Sequence, residues 1–226
     1  REETTRQGSY RTMLAARYKA GLDQQGMPLS LQSETCFSGM ELSLGYTDMA
    51  YAAAGAIPNV RIATSKLPLH IATGAYRAPC YNSHAFTVET FIDECAVAAG
   101  IDPLQYRLRL LANWDPAWSD CLRIAAEKAH WGQALPPGQG RGIAISNWPH
   151  SGSKQAGSTV CAVVRVEVTP AGKLIVHQID FTFDCGRVVN QDAVLSQLQG
   201  GIIFGLNMAL NEGLTVSDGA IVEANF

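Results

Sequence analysis

The chain has 226 residues, 47% of them hydrophobic and 16% charged, with a formal net charge of -3. This is enough apolar material for one large domain or two small ones, each with a genuine core. The slight acidic excess leaves no broad basic field for nucleic acid or anionic lipid, and sets both aside as partners.

Six cysteines, Cys36, Cys80, Cys95, Cys121, Cys161 and Cys185, are widely spread with no C-x-x-C pair. They read as buried small apolar side chains, not as a zinc site, an iron-sulfur site or a disulfide framework. The start, Arg1-Glu2-Glu3, has neither an initiator methionine nor a signal-peptide layout. We therefore expect that processing or truncation has removed what came before. The end, Ile221 to Phe226, stops in a strand-like apolar stretch, which we expect to continue in a parent protein or to pair with another polypeptide. The longest apolar stretch, around Gly200 to Leu210, is broken by Asn207 and falls short of the roughly 18–20 residues of a membrane span.

In chain order, Met13 to Leu22 and Met27 to Phe37 read as a hairpin turning at Gln24-Gln25-Gly26. Tyr46 to Ala56 takes no assignment, and Asn59 to Leu69 reads as extended. A helix is predicted over Ala85 to Ala99, with Phe86, Thr90, Ile92, Cys95 and Ala99 on one face and Gly100 as its C-cap. Asp102 caps a second helix with Pro103 at its first position, and a third runs from about Ala117 to His130. Pro136-Pro137-Gly138 marks a boundary, giving a first part over residues 1–132, a linker over 133–139 and a second part over 140–226. The second part reads as strands at Gly142 to Ser146, Thr159 to Val168 and Lys173 to Phe183. A long helix, Gln191 to Leu210, follows, then a short hairpin with Ser217-Asp218-Gly219 at its tip. Hairpins and helices in blocks predict an α+β fold of hairpins and mixed sheets packed with helices.

Three places draw attention for chemistry. Gly74-Ala75-Tyr76-Arg77-Ala78-Pro79 reads as a loop constrained by Gly74 and by Pro79 acting on Ala78; it either fixes Arg77 for function or is a surface turn with a solvated arginine. Asp184 and Asn190, around Cys185 to Val189, read as turn and cap residues. Gln197, ahead of Gly200-Gly201, can donate and accept at a heterocyclic edge, or is a hydrogen-bonded glutamine in a packed helix. Gly201 and Gly205 suggest close helix packing. Glu89, Asp93 and Glu94 read as a solvated helix face. The five histidines show no metal-binding spacing, and no G-x-S-x-G, P-loop or dinucleotide fingerprint is present.

Three strings together carry a resemblance. The first runs from Thr73-Gly74-Ala75-Tyr76-Arg77 through Asn82 to Glu94 and on to Asp102-Pro103-Leu104-Gln105-Tyr106-Arg107-Leu108. The second is Arg141-Gly142-Ile143-Ala144-Ile145. The third is Asp184-Cys185-Gly186-Arg187-Val188-Val189-Asn190 with Gln197-Leu198-Gln199-Gly200-Gly201 and, finally, Asn225-Phe226. In order and spacing they resemble the isoquinoline 1-oxidoreductase beta-chain family, relatives of xanthine dehydrogenase and aldehyde oxidase, as a central-to-C-terminal fragment.

The resemblance implies a molybdopterin-binding fold and part of a molybdenum hydroxylase large subunit that oxidises an N-heterocycle or aldehyde with water-derived oxygen. The implied cofactor is molybdopterin, as its cytosine dinucleotide, carrying molybdenum. Implied partners are the remaining segments of the large subunit, a small subunit with [2Fe-2S] clusters and a cytochrome c; the implied location is periplasmic or associated with the inner membrane, with the cytoplasm as the alternative. Arg77, with Ala78 beside it, matches the loop arginine near the molybdenum, Gln197 matches a pterin-contacting glutamine, and Tyr76 is placed toward substrate. The chain departs from the xanthine dehydrogenase pattern: Ala78-Pro79-Cys80 replaces Gly-x-Gly after the arginine. The Met-Gly-Gln-Gly loop and the Gly-Glu-x-Gly segment with the catalytic glutamate are also missing, so no catalytic residue is assigned within these 226 residues. The competing reading is a non-catalytic scaffold or assembly protein that keeps the fold without cofactor.

Overall fold

A computed structural model describes residues 2–38, 57–74, 76–79, 81–149 and 157–224. Tyr46 to Ala56, Ala75, Cys80 and the terminal Asn225-Phe226 lie outside the described residues. The architecture is α+β. After a short helix α1 (Glu2–Gln7), which the sequence pattern does not announce, strands β1 (Leu14–Leu22) and β2 (Pro28–Phe37) form the expected antiparallel hairpin. Its turn is tied by Asp23, whose Oδ1 accepts from the amides of Gln25 and Met27 at 2.9 and 2.8 Å. The third strand, β3 (Asn59–Lys66), adds parallel to β2, a pairing that no local pattern announces.

Helix α2 (Tyr81–Ala99) begins four residues before its predicted start. Its buried face is His84, Val88, Glu89, Ile92, Cys95 and Ala96. Phe86 and Thr90, assigned to that face from the sequence, are exposed. The phase error comes from following the aromatic at Phe86 instead of the stripe through Val88, Ile92 and Ala96. The helix ends as expected: Gly100 at φ 64 allows Ile101 N to reach Ala96 O and Gly100 N to reach Val97 O, the two bonds of a Schellman cap. Helices α3 (Pro103–Leu110) and α4 (Pro116–Lys128) each open with Asp then Pro, and Asp102 and Asp115 accept from the amides of Gln105 and Ala117.

The second sheet is antiparallel, in the order β4 (Gln139–Pro149), β5 (Gly157–Val168), β6 (Leu174–Asp184). Alternation places Thr159, Cys161 and Val163 of β5 beside Ile143 and Ile145 of β4 on one buried face. Trp118, Cys121, Leu122, Ala125 and Ala126 of α4 close over that face at helical spacing. One hydrophobic cluster therefore runs from Leu31 and Ile92 through Leu122 to Cys161 and Val163, across the loop at 133–138.

Charge crosses the same boundary. Arg107 of α3 is fully buried; its Nε donates to Glu89 Oε2 at 2.9 Å, its Nη1 to Asp93 Oδ1 at 2.6 Å, and its Nη2 to the Glu89 carbonyl at 3.0 Å. Glu89 Oε2 also accepts from the Ile145 amide at 2.9 Å, on the edge of β4 that faces away from β5. Glu89 is thus a buried connector and not part of a solvated face; Glu94 alone of the three carboxylates is fully on the outside.

Cys95, Cys121 and Cys161 are buried, whereas Cys36 and Cys185 are half-buried. Desolvation pushes the Cys95 thiol up to about 11 and Cys161 up to about 12, and raises Cys121. Since the thiolate is the reactive form, iodoacetamide at pH 8 should label Cys36 and Cys185 well before Cys161, as read by peptide mass spectrometry. Equal labelling at Cys161 would contradict its placement in the core. The linkage has a definite sign: a thiol whose folded value is raised stabilises the fold above its unfolded value only in the protonated form, so unfolding is increasingly favoured as pH climbs from about 9 toward 12.

Helix α5 (Gln191–Leu210) matches its predicted bounds, and Asn190 caps it by accepting from Ala193 N at 2.9 Å. Asp184 accepts from Gly186 N at 2.8 Å in the preceding turn. No residue of α5 is buried. An 18-residue window of α5 reaches a mean hydropathy of 1.3, which suffices by length and composition alone for a membrane span and extends beyond the Gly200 to Leu210 stretch. The chain then forms the small hairpin β7 (Val216–Ser217) and β8 (Ala220–Ile221), turning at Asp218 and Gly219, both at positive φ.

Candidate functional site

Arg77 and Gln197 lie 120 positions apart, and the fold brings them together: Arg77 Nη2 donates to the Gln197 carbonyl at 3.3 Å. The guanidinium lies beside the Gly200-Gly201 pair, at a distance that a Cβ would meet as ordinary contact. A Cβ built on Gly201 would stand 3.5 Å from Arg77 Nη2, and one on Gly200 4.0 Å from Nη1. The guanidinium therefore lies against bare helix backbone. At Gly205 nothing described comes within 4 Å, so the G-x-x-x-G spacing serves the arginine at one end and no described helix partner at the other.

The loop is held from several sides. Tyr10 N donates to Ala72 O at 2.9 Å and Gly74 N to Tyr10 O at 3.0 Å, a short parallel bridge between Tyr10 and Thr73. Gly74 is needed there, because a Cβ would sit 2.9 Å from the Cβ of Ser9. Beyond Arg77, Ala78 adopts φ 57, a left-handed conformation that a side-chain-bearing residue takes only when surrounding contacts impose it. Tyr81 N then bonds Pro79 O at 2.8 Å, and α2 begins.

An aromatic pair lines the gap between loop and helix. The Tyr76 and Phe204 rings are tilted with centroids 5.5 Å apart, the Arg77 guanidinium lies 5.6 Å from the Phe204 centroid, and that of Arg11 lies 4.7 Å over Tyr76. Two cations thus flank two rings, a favourable electrostatic arrangement. Val194, Leu198, Gly201, Phe204 and Met208 are half-buried at helical spacing, on the side of α5 that receives this loop. The Gln197 side chain is exposed beside it, with an amide able to donate and accept. Of the residues singled out by the resemblance, the fold brings Tyr76, Arg77, Ala78 and Gln197 into one neighbourhood, and adds Arg11 and Phe204, which the sequence reading does not single out. Phe204 could have been found, being seven residues after Gln197 and so on the same helix face.

The donor set suits an anionic heterocyclic group. Arg77 carries five N–H donors, and the bond to Gln197 O uses one of them. The remainder lie beside an exposed amide and aromatic surface. Among the described residues no cluster of His, Cys, Asp and Glu is arranged to ligate a metal.

A nicotinate dehydrogenase subunit of Pseudomonas putida is 32% identical over 149 residues, 61% of this chain and 12% of that protein. The beta chain of isoquinoline 1-oxidoreductase from Brevundimonas diminuta is 31% identical over 142 residues, 62% of this chain and 18% of its own length. The molybdenum-binding chain of the aldehyde oxidoreductase of Escherichia coli is 31% identical over 139 residues, 54% of this chain and 19% of its own. The chain thus spans less than a fifth of each of these relatives. Among solved structures, the aldehyde oxidoreductase of Desulfovibrio gigas overlaps 74% of this chain and 21% of that one at 22% identity, with a TM-score of 0.44. The family model described as the molybdopterin cofactor-binding domain matches residues 111–226, more than half of the 226 residues, and the chain belongs to that family.

Proposed function

We propose that this chain forms one wall of the cofactor site of a molybdenum hydroxylase large subunit, with Arg77, Ala78 and Gln197 on the cofactor and Tyr76 toward substrate. The observation that carries the reading is the meeting of Arg77 with the Gln197 segment at 3.3 Å. When bound, the molybdopterin would supply the redox centre at which a carbon is hydroxylated with oxygen from water. The chain's own part is electrostatic and geometric. The Arg77 guanidinium, fixed on the bare backbone of Gly200-Gly201, presents preorganised donors to an anion. The Gln197 amide reads a heterocyclic edge, and the exposed ring of Tyr76 offers a flat apolar surface to a planar substrate.

The names of the relatives, nicotinate, isoquinoline and aldehyde oxidoreductases, support an N-heterocycle or aldehyde as substrate. We also propose the cytosine dinucleotide form of the cofactor, electron transfer to an iron-sulfur subunit, and completion of the site by the remaining segments of the large subunit. An α5 helix with no buried residue supports that last point, since a helix this apolar gains stability when covered.

The test is metal content. In the complete complex, Arg77→Ala should lower molybdenum per complex at least several-fold, and Gln197→Ala should do so less severely, because the backbone carbonyl that meets Arg77 survives the change. Mass spectrometry for molybdenum on the purified complexes reads both. Full occupancy in both variants would remove the site assignment, the cofactor then being held by other parts of the complex; a complex that carries no molybdenum before any substitution would favour the cofactor-free scaffold.

A further inference from the structure

We propose that Arg11 is the positioning residue of this site: its guanidinium clamps the Tyr76–Pro79 loop so that Arg77 is held toward α5. The proposal rests on the reading of Arg77 as a cofactor contact, and extends it to a residue 66 positions away.

Arg11 Nη1 donates to the carbonyl of Arg77 at 2.9 Å and to Asn82 Oδ1 at 2.8 Å, and lies 3.5 Å from the carbonyl of Ala78. Its Nη2 stands 3.4 Å from Met208 Sδ, and its Cζ lies 4.7 Å over the Tyr76 ring. A single planar group therefore touches the loop, the first turn of α2 and the last third of α5. Those three elements together define where Arg77 sits.

The loop has reason to need it. Ala78 is held at φ 57, a conformation it would leave if unconstrained, and the carbonyls of Arg77 and Ala78 both approach Arg11 Nη1. Two carbonyl dipoles turned toward one point repel unless a cation lies between them. Arg11 supplies that cation. It is itself delivered to the place by the neighbouring Tyr10–Thr73 bridge, whose bonds tie residue 10 to both Ala72 and Gly74. With the two carbonyls drawn to Arg11, the Arg77 side chain reaches the other way, to the Gln197 carbonyl and the Phe204 ring. Only arginine offers donors on two nitrogens and a flat face at once; lysine retains the charge alone.

The test compares Arg11→Ala, Arg11→Lys and Arg77→Ala in the complete complex. Hydrogen exchange is followed at the Gly74, Tyr81 and Asn82 amides in cofactor-free material, and molybdenum is measured in material as purified. Arg11→Ala should speed exchange at these amides roughly ten-fold, the factor for losing one charge-assisted bond, with β5 and α4 unchanged. Molybdenum should fall along with it. Arg11→Lys, the more conservative change, should lie between, and it preserves the test if the alanine variant does not assemble. Unchanged exchange in the Arg11 variants, with molybdenum lost in Arg77→Ala, overturns the clamp and leaves the cofactor reading standing. Faster exchange in Arg11→Ala with full molybdenum in Arg77→Ala overturns the cofactor reading, and with it the positioning role.

Discussion

Replacing Arg107 by methionine should cost about 3–5 kcal/mol of stability, the usual penalty for removing one member of a buried ion pair. The methylene stem of methionine fills much of the space, so the loss reports charge and not a cavity. What remains is Glu89, buried in α2, with Oε2 still accepting from the Ile145 amide but with no guanidinium. Asp93 suffers less, because its side chain is 41% exposed and water can replace Arg107. Glu89→Gln should be milder: the amide oxygen still accepts from Ile145, although the bond from Arg107 loses its charge assistance. The double change to Arg107→Met and Glu89→Met removes both charges and strands only the Ile145 N–H, at about 1–3 kcal/mol. It should therefore be less damaging than the single arginine change. Urea denaturation followed by the fluorescence of Trp114, Trp118 and Trp131 gives all three values. A single variant no less stable than the double would mean that the pair contributes nothing to joining α2, α3 and β4.

That network also shows where the sequence was legible and where it was not. Asp before Pro at 102–103 and 115–116, Asn190 before the long apolar helix and Gly100 at a helix end are local devices, and each lies where its local chemistry places it. Glu89 is different. Its helical position, three residues before Ile92 and seven before Ala96, puts it on the buried stripe, yet a carboxylate there is readable as buried only once a buried arginine from another helix is known. The parallel addition of β3 to β2 and the joining of α2 to β4 through the Ile145 amide have the same character, since the information is in the pairing and not in either segment.

The site divides along the same line. Tyr76, Arg77, Ala78 and Gln197 were reachable because the motifs that contain them resemble a family pattern; nothing in either string alone says that one touches the other. Arg11 lies in a segment with no motif. Its relevance appears only when the Tyr10–Thr73 bridge brings it alongside the loop. The exposure of α5 was likewise invisible, because an apolar helix reads as buried from its composition alone.

Gly26→Ala should be the second large effect, and it tests how the first hairpin is docked. Gly26 closes the β1–β2 turn at φ 79, and its carbonyl accepts from the Tyr106 hydroxyl at 3.1 Å. A Cβ there would fall 2.5 Å from the Cβ of Ala99 and 3.3 Å from its Cα. Neither atom is the far end of a flexible side chain, so the turn or the end of α2 must move. The left-handed backbone alone costs alanine about 1–3 kcal/mol, and displacing the turn weakens the Tyr106 bond by about 1 kcal/mol more. Gly172 supplies the control: it closes the β5–β6 turn at φ 77 with nothing within 4 Å of a Cβ. Gly172→Ala therefore carries the backbone cost without the overlap. The difference between the two urea midpoints measures the contact between the hairpin and α2, and equal losses would show that the turn stands clear of Ala99.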